Sequence, residues 1–189
     1  GQIGVHPHGN DLTNIFKSAY TEGKSIQQAT LELLNNLFQQ FGLLIVIPDN
    51  AILKAEFNSV VNKEISEKFS HQIVQNTIDA LSKNYKVQAA GREINLFYLY
   101  ENFRERIEQE GDLFTIKKLN KSFQLIELQE EVKKYPELFS ANVILRGVFQ
   151  ETILPNITFI GGGGELAYWL ELKNVFEAVK QTLYASVFK

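Results

Sequence analysis

Four consecutive glycines, Gly161 to Gly164, follow the apolar run Ile157-Thr158-Phe159-Ile160 and precede Glu165-Leu166-Ala167-Tyr168-Trp169. This order predicts a strand, a glycine loop and a helix over Ile157 to Leu172. Glycine admits positive φ angles and lets a ligand approach the backbone closely. The free amides of a helix start attract an anion, and the crevice of an open α/β sheet lies at the carboxyl ends of its strands. The loop matches neither standard phosphate motif. A Walker loop needs Lys then Ser or Thr after its last glycine, where Glu165-Leu166 stand, and the dinucleotide fingerprint spaces its glycines. Glu165 either caps the helix amides itself, competing with a phosphate, or accepts a hydrogen bond from a substrate amine or hydroxyl. Two readings therefore stay open for Gly161, Gly162, Gly163 and Gly164: a ligand site, or a turn that only lets a helix pack on a sheet. Tyr168 and Trp169 are adjacent and face different sides of the helix, with Trp169 assigned to the core and Tyr168 to the cleft.

The rest of the chain reads as an α/β frame. Leu43-Leu44-Ile45-Val46-Ile47 is a continuous apolar run, the pattern of a strand covered on both faces in a parallel sheet. Asp11 is the expected cap of a short helix through Tyr20, with Leu12, Ile15, Phe16 and Ala19 on one face. Ser25-Ile26-Gln27-Gln28 fits a capping box. Ile26, Ala29, Leu33, Leu37 and Phe41 follow at helical spacing as a buried stripe, and Gly42 ends it as a left-handed cap. Ala51 to Phe69 and His71 to Lys83 read as two helices joined near Ser70. Ile94 to Leu99 is strand-like, and Leu113 to Lys117 and Ser122 to Ile126 alternate around Asn120-Lys121 as a hairpin. Glu127 to Tyr135 is a short helix before Pro136, and Asn142 to Leu145 and Ile157 to Ile160 bracket a short helical or irregular piece. The last helix has Leu172, Val175, Phe176, Val179 and Leu183 as its stripe. Three stretches follow: 1–92, helical and α/β; 93–139, a small antiparallel β subdomain with a short helix; 140–189, the strand–glycine loop–helix unit.

Composition narrows the function classes. The 189 residues are 44% hydrophobic, enough for a domain core. Basic and acidic residues number 19 and 22, a net charge of −3, which argues against a nucleic-acid surface. Phe97, Tyr98 and Tyr100 are accordingly expected in the core instead of stacking on bases. The chain has no cysteine, so it has no disulfide, thiolate metal site or catalytic thiol. Leu43 to Ile47 is too short to span a bilayer, and Gly1-Gln2-Ile3-Gly4 is unlike a signal peptide; a cytoplasmic protein without membrane contact is the expectation. His6-Pro7-His8 lacks an evident third ligand, so no metal is expected. The absence of methionine and the glycine start predict a piece of a longer protein.

Asn142-Val143-Ile144-Leu145-Arg146-Gly147-Val148-Phe149-Gln150-Glu151-Thr152-Ile153-Leu154-Pro155, with the glycine loop and Glu165 to Trp169 behind it, resembles the bacillithiol-synthesis cysteine-adding family, BshC. Ile94 to Leu99 and the Phe41-Gly42-Leu43 strand entry resemble it too, so the likeness runs from about Asp11 to Val179. The sequence departs from the family where proline is usual, at Gly163 and Gly147, and where the strand entry often ends in Asp, at Ile47. The family's early Gly-Gln-Gln motif has no counterpart, so the chain is expected to be a middle portion lacking the N-terminal part.

The resemblance implies a Rossmann-like parallel-sheet portion with helices and a small inserted antiparallel β subdomain. It also implies a ligase that joins the carboxyl of cysteine to the amine of glucosaminyl malate, these two small molecules being the partners. The carboxyl needs activation, so ATP or ADP is the implied cofactor. The implied roles are Glu165 and Glu151 as catalytic groups, Arg146 as a planar fork for malate or a phosphate, and Gln150 and Glu151 as orienters of the attacking amine. Asn142 and Tyr168 join the glycines as ligand contacts. Any homo-oligomer is expected to form through parts outside this chain. The alternative is a non-catalytic ligand-binding or protein-interaction module.

Overall fold

A computed structural model describes residues 2–180 apart from 88, 89, 102, 155, 157 and 159. Several of its helices start where a side chain satisfies a free amide. Contacts divide the chain into two units, Gly1–Ile47 and Pro48–Lys189.

In the first unit a 3-10 turn leads into α1 (Gly9–Ala19), followed by α2 (Ile26–Phe38). The Ser25 hydroxyl accepts from the Gln28 amide at 3.2 Å, and the Gln28 side chain accepts from the Ser25 N–H at 3.1 Å, which closes the expected capping box. Gly42 takes φ 78° in the left-handed cap, as expected. The start of α1 differs from the reading that made Asp11 its cap. The N-cap is His8, without a side-chain bond, and Asp11 sits in the first turn. There its charge faces the helix amides without ending the helix. The expected stripe on α2 is also only partly buried: Ala29 is covered, Leu33 and Leu37 are half-buried, and Ile26 and Phe41 are exposed. Leu43 to Ile47 joins no strand. An apolar run becomes a strand only beside a neighbour that takes its backbone groups, and among the described residues no strand pairs with it.

The second unit opens with Asn50, whose side chain accepts from the amides of Ile52 and Leu53 and starts α3 (Ala51–Ala55). Lys54 is buried; its ammonium donates to the Glu137 carbonyl at 2.7 Å and pairs with Asp49 at 3.1 Å. The expected helix Ala51 to Phe69 breaks after Ala55, and α4 (Asn58–Glu67) follows. The next break falls at Lys68, with φ 50°, two residues before the expected junction at Ser70. α5 (Phe69–Leu81) then runs out of it.

That break is organised by Glu64, which lies on the apolar side of α4 with Val60, Val61 and Ile65 and is 0% exposed. Its carboxylate accepts from the Ser70 hydroxyl at 2.8 Å, the Ser70 N–H at 3.2 Å and the Asn95 N–H at 2.8 Å. The Asn95 side chain donates to Ser70 at 2.7 Å and accepts from Asn142 at 2.7 Å. Four buried polar residues thus join α4, α5 and the chain on either side of one sheet.

Both sheets are antiparallel throughout. One is ordered β2 (Phe103–Arg106), β1 (Leu96–Tyr100), β6 (Phe139–Ala141); the other is β3 (Glu108–Glu110), β4 (Leu113–Ile116), β5 (Lys121–Phe123). The expected hairpin around Asn120 is β4–β5, with Asn120 at φ 50°. Of the three aromatics expected in the core, Tyr98 is buried on β1 and donates to Glu131 of α6 (Leu125–Lys134) at 2.7 Å, Phe97 is half-buried and Tyr100 is exposed at the strand end. The core joins Phe57 and Ile65 to Leu96, Ile116, Leu128 and Leu145, and it continues through α7 (Val143–Ile153), α8 (Gly163–Glu171) and α9 (Lys173–Ala178). The last helix of the sequence reading is therefore two, divided at Leu172. Leu172, Val175 and Phe176 are buried as expected, and Leu183 lies outside the described residues.

Glu64→Gln is expected to cost about 2 kcal/mol, because the new amide turns donors toward Ser70 and Asn95, which already donate. Urea unfolding at neutral pH measures it. Glu177→Gln, at an exposed site, is the control, with a change below about 0.5 kcal/mol.

Candidate functional site

The sequence-marked residues fall on α7, α8 and the segment between them. Asn142 caps α7: its Oδ1 accepts from the Ile144 N–H at 2.8 Å and its Nδ2 donates to Asn95. Both ends of this buried amide are engaged inside the fold, so Asn142 holds the helix instead of facing a ligand. Glu151 is likewise buried, and its two oxygens accept from Asn156, the N–H at 3.0 Å and the side-chain amide at 2.8 Å. It ties down the chain leaving α7 on its way to the glycine loop. Arg146 and Glu151 share the helix without pairing; Arg146 is exposed and Gln150 half-buried.

Gly147, next to Arg146, is where the helices meet. A Cβ there would lie 3.1 Å from Phe176 Cζ and 3.4 Å from Trp169 Cζ2. The two rings pack at 5.4 Å between centroids. Trp169 is in the core as expected, and Tyr168 beside it is half-buried. Burial pushes the Tyr168 phenol up, opposed by the positive charge of Arg146 and aided by Glu171. Its hydroxyl is buried and without a hydrogen-bond partner among the described residues. Arg146 and Tyr168 therefore flank the same helix contact.

The glycine loop differs from expectation in its backbone. Gly162 is an ordinary extended N-cap, φ −68° and ψ 161°, and Gly163 and Gly164 are helical. None of these three takes a positive φ. A Cβ at any of them would meet no atom of the described residues within 4 Å. Glu165, exposed in the first turn, accepts from the Gly162 N–H at 3.4 Å, so the capping alternative is realised over a long bond. Of the expected strand before the loop, Ile157 and Phe159 lie outside the described residues; Thr158 and Ile160 belong to no strand.

Two polar features were missed from sequence. The Glu64–Asn95–Asn142 network had one signal, an acid between apolar neighbours on a helix face. The other is a recess of about 300 Å³ bordered by Arg92, Arg106, Lys117 and the acids Glu93, Glu108 and Glu110. Lys117 pairs with Glu108 and Glu110 at 2.6 and 3.1 Å, and its hydrogen bond holds the Glu108 carboxyl below its usual range. Three of the recess's charges thus pair within it, while Glu93 pairs with Lys68. Among the described residues no group of three His, Asp or Glu is placed to hold a metal ion.

Residues 1–185 match the family model described as bacillithiol biosynthesis BshC, N-terminal Rossmann-like domain. The chain belongs to the BshC family. It is 43% identical over 181 residues to "Putative cysteine ligase BshC" of Flavobacterium johnsoniae, covering 96% of this chain and 34% of that protein. The protein of the same name from Cytophaga hutchinsonii is 38% identical over 179 residues, covering 94% and 34%. That from Bacillus pumilus is 33% identical over 148 residues, covering 75% and 27%. The chain spans about a third of the length of the BshC relatives it matches. The family supplies the Rossmann-like α/β class, while the strand pairs described in this BshC chain are all antiparallel. No helix among the described residues is long and apolar enough to cross a membrane.

Two measurements check this geometry. Gly147→Ala is expected near neutral, since a helix propensity gain of about 1 kcal/mol offsets the tight Phe176 contact. Gly147→Val should cost about 1–3 kcal/mol by overpacking. Fluorescence of Trp169, the only tryptophan, should shift to the red with it. Tyr168 and Tyr98 both have raised phenol values from burial, with the Glu131 bond adding to Tyr98. Their stabilising contribution is complete below the ordinary tyrosine value of about 10 and is lost as pH rises beyond it. Phenolate absorbance should show two late-ionising tyrosines, reduced to one in Tyr98→Phe.

Proposed function

We propose that this chain is part of a ligase that joins the carboxyl group of cysteine to the amine of glucosaminyl malate in bacillithiol biosynthesis. The observation that carries the reading is at Gly162, Gly163 and Gly164. Neither backbone angle nor packing calls for glycine there, so close approach of a ligand is the remaining physical reason for the run. Tyr168 stands one turn after Gly164, and Arg146 lies within electrostatic reach of Tyr168.

In this reading Arg146 pairs through its planar fork with a carboxylate or phosphate. The amides of Gly163 and Gly164 add the partial positive charge of a nine-residue helix start. Glu165 is held loosely enough, at 3.4 Å, to leave Gly162 and accept a hydrogen bond from the attacking amine, and Gln150 helps orient that amine. Glu151 and Asn142 are positioning residues: one anchors the chain before the loop, the other the start of α7. Amide formation in water is uphill, so the carboxyl requires activation, for which ATP is the proposed co-substrate. The short helix start offers few amides, so the residues fit a single phosphate or carboxylate better than a wrapped polyphosphate.

Arg146→Ala and Glu165→Gln in the full-length protein should each lower bacillithiol formation about 10- to 100-fold, the loss of one charge-assisted hydrogen bond. Unchanged formation in both would overturn their roles. Calorimetric titration of the chain with ATP, ADP, cysteine and glucosaminyl malate separates the alternative: heat from none of them at millimolar concentration favours an interaction module.

A further inference from the structure

The recess of about 300 Å³ lies where the chain steps from one sheet to the other. Arg92 stands before β1, Arg106 ends β2 and Glu108 opens β3. All three belong to the second unit, so the recess is formed within it. Ile94 and Ile107 border it and are almost fully covered, which gives it an apolar base. Its rim is charged, and the partners are unevenly shared. Each acid has a lysine: Glu108 and Glu110 take Lys117, and Glu93 takes Lys68. Arg92 and Arg106 have no ion pair and no side-chain hydrogen bond among the described residues. With Lys68 included, four cations stand there against three acids.

We propose that this recess binds a small organic anion, whose carboxylate or phosphate is held between Arg92 and Arg106 and whose carbon skeleton lies against Ile94 and Ile107. The two guanidiniums converge: both act through space on the Glu108 carboxyl, adding to the Lys117 hydrogen bond that holds it low. Two cations on one rim repel each other, and an anion between them removes that repulsion. A guanidinium offers planar, paired donors that match the oxygens of a carboxylate or phosphate. The volume is that of a small-molecule site, and an apolar base with a few polar groups is the usual composition of one. The nearby acids do not close the site, because their hydrogen bonds go to lysines and not to the arginines. No residue bordering the recess lies on α7 or α8. The inference is therefore independent of the ligase reading.

Calorimetric titration of the full-length protein with butyl phosphate and with butyrate tests it. Arg146→Ala is carried throughout, so that an anion at the glycine loop gives no signal. At least one probe should saturate with a Kd of about 1 mM or tighter, and the better probe tells a phosphate site from a carboxylate site. Arg92→Gln and Arg106→Gln should each weaken binding about 10-fold, the loss of one charge-assisted hydrogen bond, and together abolish it. Both arginines are exposed, so these variants should keep the melting temperature within about 2 °C. Glu108→Gln should tighten binding about 3-fold, because a negative charge facing the anion is gone. Saturation by neither probe overturns the proposal. So does unchanged binding in the double arginine variant, which would put the anion elsewhere, or weaker binding in Glu108→Gln.

Discussion

The carboxylate of Glu64 is the demand around which the second unit is arranged. A buried charge without partners costs several kcal/mol, and Glu64 is fully covered. Its three donors come from the start of α5 and the entry to β1. Meeting that demand sets the left-handed turn at Lys68 and the place where the sheet begins. Asn95 continues the network to Asn142, the cap of α7. The helix carrying Arg146, Gln150 and Glu151 is therefore aimed by hydrogen bonds reaching back to α4.

From α7 the coupling passes by packing. Gly147 lets Trp169 and Phe176 approach the helix axis, which sets α8 and α9 against it. Glu151 fixes the chain between α7 and α8 through Asn156. Two groups marked as chemical in the sequence thus hold the frame, and the groups left outward are Arg146, Glu165 and the glycines. This division follows from burial: a carboxylate with both oxygens engaged by an amide is poorly placed to serve a substrate as well.

Local features were legible. The Ser25–Gln28 box, the Gly42 cap and the Asn120 turn each depend on a few neighbouring residues whose geometry is set within one turn of chain. The Asp11 cap failed because the chain turns into helix at Gly9, two residues earlier, which leaves Asp11 within the first turn. The buried stripe of α2 was read from periodicity, which identifies a face but not what covers it. The same limit applies to Leu43–Ile47. Glu64 is not legible in the sequence, because a single acid on a helix face looks like a surface residue until its partners are known.

The sequence alone determined the family, through the run from Asn142 to Trp169, together with the helix and hairpin signals whose partners lie within a few residues. Only the tertiary structure decided which polar groups are engaged and which are open. Glu64 and Ser70 are six residues apart, but Asn95 and Asn142 are 47 apart, and no local pattern encodes that meeting. The glycine loop shows both sides. Its composition leaves two readings open, a ligand site and a plain turn. Its ordinary φ angles and open surroundings show that neither backbone conformation nor packing among the described residues requires glycine at Gly162, Gly163 or Gly164.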